Sequence, residues 1–303
     1  MQTVAITGGT GLVGKALTTL LVNKGFKVIV FSRKKAVTTP NIIYANWDVN
    51  SQQIDITALQ QADYIIHLAG AGVMDKKWTT EYKKEIIDSR VKSSELIVNT
   101  LKSNPHKVKA IISASAIGFY GEDKNDSYFF NEDDKADTNF LGTTCKLWED
   151  SITKATELNI RVVKLRIGIV FSKDGGAFAE FIKPIKFKLA TILGNGKQVI
   201  SWIHIDDLCH QFLYTIENKK LNGTYNAVAP NPISNKNLIQ KLAKKICGNF
   251  YIPMYVPSFV LKLMMGDRSI EILKSTRVSS KKIESEGFSF KYNTIDAAFE
   301  NLV

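Results

Sequence analysis

A glycine-rich run near the N-terminus is the segment whose residue types and spacing point most directly to chemistry. It reads TGGTGLVG over residues 7–14. Glycines at this spacing permit a tight turn, close approach of the backbone to a pyrophosphate, and close packing of a helix on a strand. The first N–H groups of the helix then bind the anion. Because the run lies between a strand pattern and a helical pattern, it predicts a dinucleotide site. Its predicted cofactor-binding residues are Gly8, Thr10, Gly11, Leu12 and Val13.

The end of the second predicted strand indicates which dinucleotide binds. An NAD site usually carries an acidic residue about 20 residues beyond the loop, where it accepts a ribose 2′-hydroxyl. Here the segment 31–35 reads FSRKK and contains no carboxylate. A 2′-phosphate suits it, because the guanidinium of Arg33 matches phosphate geometry and Ser32 adds a hydroxyl donor. The segment predicts NADP(H) as the cofactor; the alternative is a solvated basic turn.

Short apolar runs that alternate with longer amphipathic ones would position this loop. Alternation of strands and helices predicts an α/β fold of the Rossmann type, a doubly wound parallel sheet with helices on both faces. The strands are predicted at 3–7, 27–31, 42–45, 64–69, 108–115, 161–171, 199–205 and 223–228. The long helices are predicted at 81–102 and 140–157, and further helical segments at 238–246 and 259–274. We therefore predict a dinucleotide-binding domain at 1–228 and a small, mostly helical substrate-side lobe at 229–303.

Composition excludes several other classes of protein. The 303 residues are 45% apolar and 23% charged, which is typical of a globular chain. The net charge of +11 comes from basic residues that stand mostly singly or in pairs, so neither nucleic acid nor a membrane is a predicted partner. No run approaches the length of a spanning helix, and no basic leader precedes the first strand, so the predicted location is cytoplasmic. The three cysteines and four histidines lack metal-ligand spacing, and no metal site is predicted.

The sequence resembles the extended branch of the short-chain dehydrogenase/reductase superfamily, and within it the atypical nucleoside-diphosphate-sugar epimerase-like subgroup known as epimerase family proteins. The resemblance spans nearly the whole chain. It rests on TGGTGLVG (7–14), HLAGAG (67–72), SASAIGFYG (113–121), GNGKQVISWIHIDDL (194–208) and STRVSSKKIESEGFSF (275–290), the last in a short C-terminal domain.

The resemblance implies further site residues. Leu68 and Ala69 would lie beside the adenosine and its ribose, and Glu85 and Arg90 occupy polar positions associated with the cofactor. Arg90 would pair with a phosphate or with Glu85; the alternative is an exposed pair on a helix. Ser115 matches the serine that binds the substrate oxygen.

The Tyr-x-x-x-Lys pair of the superfamily is missing from the helix predicted at 140–157. One alignment places Leu141 and Cys145 at its two positions, and the other places Gly142 and Lys146 there. Tyr120 and Lys124 have the right spacing but fall in a loop, where residues four apart do not meet. Tyr120 follows the serine strand and is the remaining candidate phenol, although a packing role suits it better.

Two functions remain open at this stage. The first is an NADP(H)-dependent oxidoreductase or epimerase-like enzyme that acts on an unidentified small molecule, with Ser115 and Tyr120 as its candidate catalytic residues. The second is a non-catalytic protein that binds or senses NADP(H). A missing general acid or base matters, because such a group typically contributes 10²–10⁴-fold to a rate.

Overall fold

The computed structural model describes residues 1–33, 37–123, 125 and 127–303. The strands in chain order are β1 (Thr3–Thr7), β2 (Lys27–Ser32), β3 (Ile42–Asp48), β4 (Gln53–Ile54), β5 (Tyr64–His67), β6 (Ala110–Ala116), β7 (Arg161–Ile167), β8 (Ile169–Phe171), β9 (Leu189–Leu193), β10 (Val199–Ile200), β11 (Trp202–His204), β12 (Gly223–Ala227), β13 (Ile233–Ser234) and β14 (Ile252–Val256). The helices are α1 (Leu12–Asn23), α2 (Ile56–Gln60), α3 (Thr80–Ser103), α4 (Phe140–Thr153), α5 (Ala177–Ile185), α6 (Ile205–Glu217), α7 (Asn235–Cys247), α8 (Ser258–Met265), α9 (Ser269–Leu273), α10 (Lys281–Ser285) and α11 (Ile295–Leu302).

An eight-stranded sheet forms the centre of the molecule, in the order β12-β7-β6-β5-β1-β2-β3-β4. All of its neighbouring strands pair in parallel except β3 and β4. The predicted α/β Rossmann fold is therefore confirmed. The strand order reverses between β1 and β5, and sheets of this kind bind ligands beyond the carboxyl ends of the strands at that point.

Both faces of the sheet are covered, which is why its inner strands are apolar along their whole length. Successive residues of a strand point to opposite faces. Ile66 accordingly belongs to a core with Leu17 of α1 and Phe212 of α6, whereas Ile65 belongs to a core with Ile97 of α3 and Ile152 of α4. The sheet is thereby held rigidly between two helical layers.

A third core lies in a smaller lobe. There β9 pairs in parallel with β14, and α5, α7 and α11 pack around the aromatic side chains of Phe171, Phe178 and Phe299. This core contains residues from both predicted domains, 1–228 and 229–303. The lobe also contains the strands β13 and β14 beside its helices, which the sequence pattern did not reveal.

Two predicted strands are divided in the structure: 199–205 into β10 and β11, and 161–171 into β7 and β8. The sequence pattern predicts a single strand over residues 161–171, but β7 ends at Ile167 and the chain leaves the sheet at Gly168. A Cβ at Gly168 would lie 2.6 Å from the carbonyl oxygen of Ser201, so the backbones of these two segments are in close contact. The following residues form β8, which pairs with β11 outside the central sheet. This turn brings the smaller lobe over the carboxyl ends of the strands.

No helix within the described residues is long and apolar enough to cross a membrane.

The last residue of β5 is a buried histidine, His67. The Nδ1 atom of His67 lies 2.7 Å from the hydroxyl of Thr7 on β1. Its Nε2 atom lies 3.2 Å from the hydroxyls of both Ser93 and Ser94 on α3. Burial, with a further contribution from the Arg90 charge, lowers the pKa of His67 to about 3. The ring is therefore neutral and links the sheet to α3 through hydrogen bonds.

Acidification should destabilise the protein through this histidine. The unfolded chain protonates the imidazole near pH 6.5, whereas in the folded chain His67 stays neutral until about pH 3. A fall from pH 7.5 to pH 5.5 therefore favours the unfolded state by about 1.4 kcal/mol through this group. We expect urea unfolding to show a loss between these pH values that is about 1.4 kcal/mol larger in the parent protein than in His67→Gln, since the buried His204, whose pKa is also lowered, contributes equally to both.

The exposed His210 provides the matched control, since His210→Gln should keep the pH dependence of the parent. His67→Gln will be less stable at both pH values. The deciding quantity is therefore the difference in the free energy of unfolding between pH 7.5 and pH 5.5. An unchanged difference in His67→Gln would show that His67 is not the group responsible.

Candidate functional site

The glycine run forms the loop between β1 and α1, at the point where the strand order reverses. Gly8 has a φ of +73°, and its carbonyl oxygen accepts a hydrogen bond from the N–H of Gly11 at 3.1 Å. Gly11 is the residue that precedes α1, and no side chain caps the first turn of this helix. The N–H groups of that turn and the positive end of the helix dipole are therefore available to an anion.

The glycines of this loop have no side chains, and the backbone therefore makes close contacts. A Cβ at Gly14 would lie 2.5 Å from both the Gly8 carbonyl oxygen and the Gly9 Cα. A Cβ at Gly8 would lie 2.8 Å from the carbonyl carbon of Leu68, in the loop after β5, and 3.0 Å from the nitrogen of Ala69. The structure thus brings Gly8, Leu68 and Ala69 together.

The other predicted residues of the loop lie on its accessible side: Thr10 is exposed and Leu12 and Val13 are half-buried. The backbone geometry of the loop fits a dinucleotide pyrophosphate.

The predicted 2′-phosphate ligands lie at the carboxyl end of β2, the neighbour of β1. Ser32 is the half-buried last residue of the strand, and Arg33 follows it and is exposed. Asp48 at the end of β3 has a lowered pKa, mainly through hydrogen bonds from Ser51 and Asn50, with a smaller contribution from the Arg33 charge. Lys34 and Lys35 of the predicted basic segment lie outside the described residues.

Glu85 and Arg90 are both on α3 but point to different surroundings. Glu85 is exposed and forms an ion pair with Lys76 at 3.0 Å, not with Arg90. Arg90 donates from Nη1 to the carbonyl oxygens of Ala71 and Ile86, both at 3.0 Å. Its guanidinium carbon lies 5.1 Å from the centre of the Trp148 ring. Burial lowers the pKa of Arg90, yet an arginine remains charged.

The position of Arg90 gives it two properties. It holds the loop that follows β5, and no carboxylate of the described residues forms an ion pair with it. A half-buried charge of this kind is stabilised by an opposite charge. Arg90 therefore offers a cation to an anionic group bound at this edge of the sheet.

A cavity of about 330 Å³ opens beyond the carboxyl ends of β6 and β7, between the sheet and the smaller lobe. From α4 it is lined by Leu141, Thr144 and Cys145, whereas Lys146 is exposed and pairs with Asp150. Of the two alignments of the missing Tyr-x-x-x-Lys pair, the one with Leu141 and Cys145 therefore faces the cavity. Burial raises the pKa of Cys145 to about 12, which keeps it a neutral thiol.

The two predicted catalytic hydroxyls belong to a buried network beside this cavity. Ser115 donates to Glu149 Oε1 at 2.7 Å. The same carboxylate receives Nε and Nη2 of Arg166 at 2.8 and 3.0 Å. Arg166 also donates to the hydroxyl of Tyr120 at 2.9 Å, and that hydroxyl donates to Asn226 Oδ1 at 2.6 Å.

The network limits what these hydroxyls can do. Ser115 and Tyr120 are nearly inaccessible to solvent, and burial raises the pKa of Tyr120 further above its ordinary value. Neither residue is among those that line the cavity. Lys124, which follows Tyr120 at the Tyr-x-x-x-Lys spacing, lies outside the described residues. In this arrangement the two hydroxyls hold the ends of β6 and β7 in place beneath the cavity.

Sequence reasoning missed Glu149 and Arg166, which form the centre of the network. The available signal was weak: each is a charged residue that directly follows a large apolar one, Glu149 after Trp148 on α4 and Arg166 after Leu165 on β7. Glu149 and Arg166 stand 17 positions apart in the chain, on different elements. Among the described residues no group of three His, Cys, Asp or Glu side chains could hold a metal ion.

Comparison with known families finds two matches. The model of the NAD dependent epimerase/dehydratase family matches residues 4–227, and that of a domain of unknown function, DUF1731, matches residues 256–302. An epimerase family protein of Staphylococcus haemolyticus is 32% identical over 307 residues, which cover 100% of this chain and 99% of the relative. The epimerase family protein YfhF of Bacillus subtilis is 32% identical over 302 residues, covering 99% and 97% of the two chains.

Solved structures give the same picture. The human epimerase family protein SDR39U1 (isoform 2), solved with NADPH, superimposes with a TM-score of 0.87 at 25% identity, covering 99% of both chains. The nucleoside-diphosphate sugar epimerase of Corynebacterium glutamicum superimposes with a TM-score of 0.77 at 30% identity. That match covers 98% of this chain and 57% of the other.

Loss of one partner of the buried pair of Glu149 and Arg166 should destabilise the fold. Glu149→Gln leaves the Arg166 guanidinium buried without its counter-ion, which costs about 3 kcal/mol. We expect chemical denaturation to show that loss, and the double variant Glu149→Leu/Arg166→Met to be more stable than Glu149→Gln, since it buries no charge.

Asp150→Asn is the control on the same helix, because it breaks the exposed pair with Lys146 and should change the free energy of unfolding by less than about 1 kcal/mol. Equal effects of Asp150→Asn and Glu149→Gln would contradict the central role of the buried pair.

Proposed function

This chain belongs to the NAD dependent epimerase/dehydratase family, as its sequence motifs indicated, and on that premise we propose that it binds NADP(H) and acts as an oxidoreductase or epimerase-like enzyme on a small molecule. The observation that carries the proposal is the loop of residues 7–14. Neighbouring backbone occupies the space that side chains at Gly8 and Gly14 would need. The first turn of α1 has no side-chain cap. That arrangement is suited to a pyrophosphate.

The phosphorylated cofactor is favoured by the end of β2. Arg33 and Ser32 lie there without a neighbouring carboxylate in the sequence, so a ribose 2′-hydroxyl would lack its usual acceptor whereas a 2′-phosphate would find a cation. The human relative that matches 99% of this chain was solved with NADPH, which agrees with this choice.

Each part of the site has a role in the proposal. The loop at Gly8 and Gly11 and the start of α1 hold the pyrophosphate, and Arg90 fixes the loop after β5 and adds a positive charge there. The nicotinamide of the bound cofactor supplies or accepts a hydride. The apolar cavity beyond β6 and β7 binds the substrate and excludes water, while Ser115 and Tyr120 support its floor through the buried network.

A non-catalytic role in NADP(H) binding or sensing is the second candidate, and one observation favours it. Leu141 faces the cavity, and one of the two alignments places it where the superfamily has its phenol. No tyrosine is among the described residues that line the cavity. The general acid of the usual reaction is therefore absent from its usual place. A protein of this kind would report cofactor binding through the smaller lobe.

Arg33→Glu should change cofactor preference. Reversing the charge beside the 2′-phosphate should weaken NADPH binding at least about tenfold, because a charge-assisted hydrogen bond is worth about 1.5–3 kcal/mol. NADH lacks that phosphate, and its affinity should change far less. Isothermal titration with both nucleotides measures the two dissociation constants.

Lys24→Glu is the matched control, since it makes the same charge change at an exposed residue directly after α1. The helix separates Lys24 from the glycine loop by about 18 Å. Lys24→Glu should leave the affinities for NADPH and NADH unchanged. If Arg33→Glu weakened NADPH and NADH binding equally, the assignment of the 2′-phosphate site would be wrong.

Turnover distinguishes the enzyme from the sensor. With NADPH and a panel of carbonyl compounds, the enzyme predicts loss of the nicotinamide absorbance that depends on the added carbonyl. At NADPH concentrations below saturation, Arg33→Glu should slow this loss and Lys24→Glu should not. Tight NADPH binding without consumption on any member of the panel would favour the sensor.

A further inference from the structure

We infer that the substrate is a compact and largely apolar carbonyl or alcohol compound, not a nucleoside-diphosphate sugar. The inference rests on the proposed function, because it takes the cavity beyond β6 and β7 as the substrate site. It concerns the chemical class that this cavity accepts, which neither the family match nor the cofactor determines.

The lining of the cavity is the first argument. Its volume of about 330 Å³ lies at the lower end of the range for ligand pockets. Aliphatic and aromatic side chains from separate helices, strands and loops converge on it, among them Val73, Ile86, Leu141, Ile169, Phe181 and Ile272. A surface of this kind gains free energy by removing an apolar molecule from water.

The side-chain hydroxyls of the lining already donate to backbone carbonyl oxygens, which is the second argument. The hydroxyl of Thr144 donates to the Phe140 carbonyl oxygen, and that of Ser201 donates to the Thr276 carbonyl oxygen. The Thr276 hydroxyl in turn donates to the Gly121 carbonyl oxygen at 2.8 Å. Few groups are left to hydrogen-bond the base, the two sugars or the phosphates of a nucleotide sugar, and unpaired polar groups are costly to bury.

Charge is the third argument. Lys274 lines the cavity, but it pairs with Glu271 at 2.8 Å, and both side chains are nearly buried. Arg90 is then the one charged side chain of the described lining without a carboxylate partner, and it also holds the loop on the cofactor side. A diphosphate requires several cations or N–H donors. This cavity suits at most a single polar oxygen.

The neighbouring cleft does not supply the missing charge. An open cleft of about 750 Å³ shares Leu141, Glu271 and Lys274 with the cavity and leads to solvent. Its ionisable lining residues are three lysines and three acids, namely Lys83, Lys262, Lys274, Glu122, Asp267 and Glu271. Lys83 is itself paired with Asp267 at 3.2 Å. A diphosphate placed in the cleft would meet three cations offset by three carboxylates, so the cleft offers it no net positive charge.

Ligand binding to the full chain saturated with NADPH tests the inference. Acetophenone and cyclohexanone serve as apolar probes, and UDP-glucose and UDP as nucleotide probes, with the thermal midpoint and titration calorimetry as readouts. We expect at least one ketone to bind saturably and raise the thermal midpoint, and both nucleotides to leave it unchanged at the same concentrations.

A pair of methionine variants locates the binding. Met74 lines the cavity and is 38% exposed, so Met74→Glu adds a carboxylate at its wall with little disturbance of the fold. It should weaken ketone binding at least tenfold. Met264 on α8 is 67% exposed and lies outside the lining, so Met264→Glu should leave ketone binding unchanged.

The outcomes separate the two proposals. If NADPH itself fails to bind, the proposed function fails and this inference falls with it. If NADPH binds but neither ketone does, or if UDP-glucose binds and Met74→Glu abolishes that binding, the cofactor assignment stands and the inferred substrate class is wrong. Ketone binding that Met264→Glu impairs as much as Met74→Glu would also overturn it.

Discussion

The contact between the first loop and the loop after β5 is the constraint on which the rest of the site depends. Gly14 lets α1 start against the backbone of Gly8, and Gly8 in turn lies against Leu68. No side chain can enter these contacts without moving one of the two loops. Because the contacts fall where the strand order reverses, they place the uncapped end of α1 and the loop held by Arg90 on the same edge of the sheet.

The buried network under the cavity has a different physical character. Hydrogen bonds to a buried ion pair are worth more than neutral ones only while every member is present, because the loss of one partner leaves a charge in a poorly polarisable interior. Glu149 receives three donors from Ser115 and Arg166, so its charge is well solvated by the protein. The network thereby fixes α4 against β6 and β7, and with α4 it fixes the wall that carries Leu141 and Cys145.

Local features were the ones that the sequence predicted well. The glycine loop, the strands β1 and β2 and the fold class depend on residues close together in the chain, where spacing determines structure. The break at Gly168 depends on Ser201, 33 positions away, and no local pattern records such a contact. The surroundings of Ser115 and Tyr120 were equally hidden, since a hydroxyl at the end of a strand looks the same in the sequence whether it faces a substrate or a buried carboxylate. The small strands of the second lobe pair over long distances for the same reason.

In the alignment that places Leu141 and Cys145 at the Tyr-x-x-x-Lys positions, the apolar wall of the cavity and the missing phenol have the same cause. A tyrosine at position 141 would bring a hydroxyl to the cavity wall, and a lysine at 145 would need water or a counter-ion nearby. Leucine and a neutral thiol remove both needs, so the wall can close on an apolar molecule without leaving a polar group unpaired. For the proposed reaction the cost would fall on proton transfer. Without a positioned acid it would lose a contribution of about 10²–10⁴-fold and would depend on orientation and on the exclusion of water. An apolar cavity supplies both of those, which is why a slow reaction on an apolar substrate is chemically consistent with this wall, whereas fast turnover of a polyanionic sugar nucleotide is not.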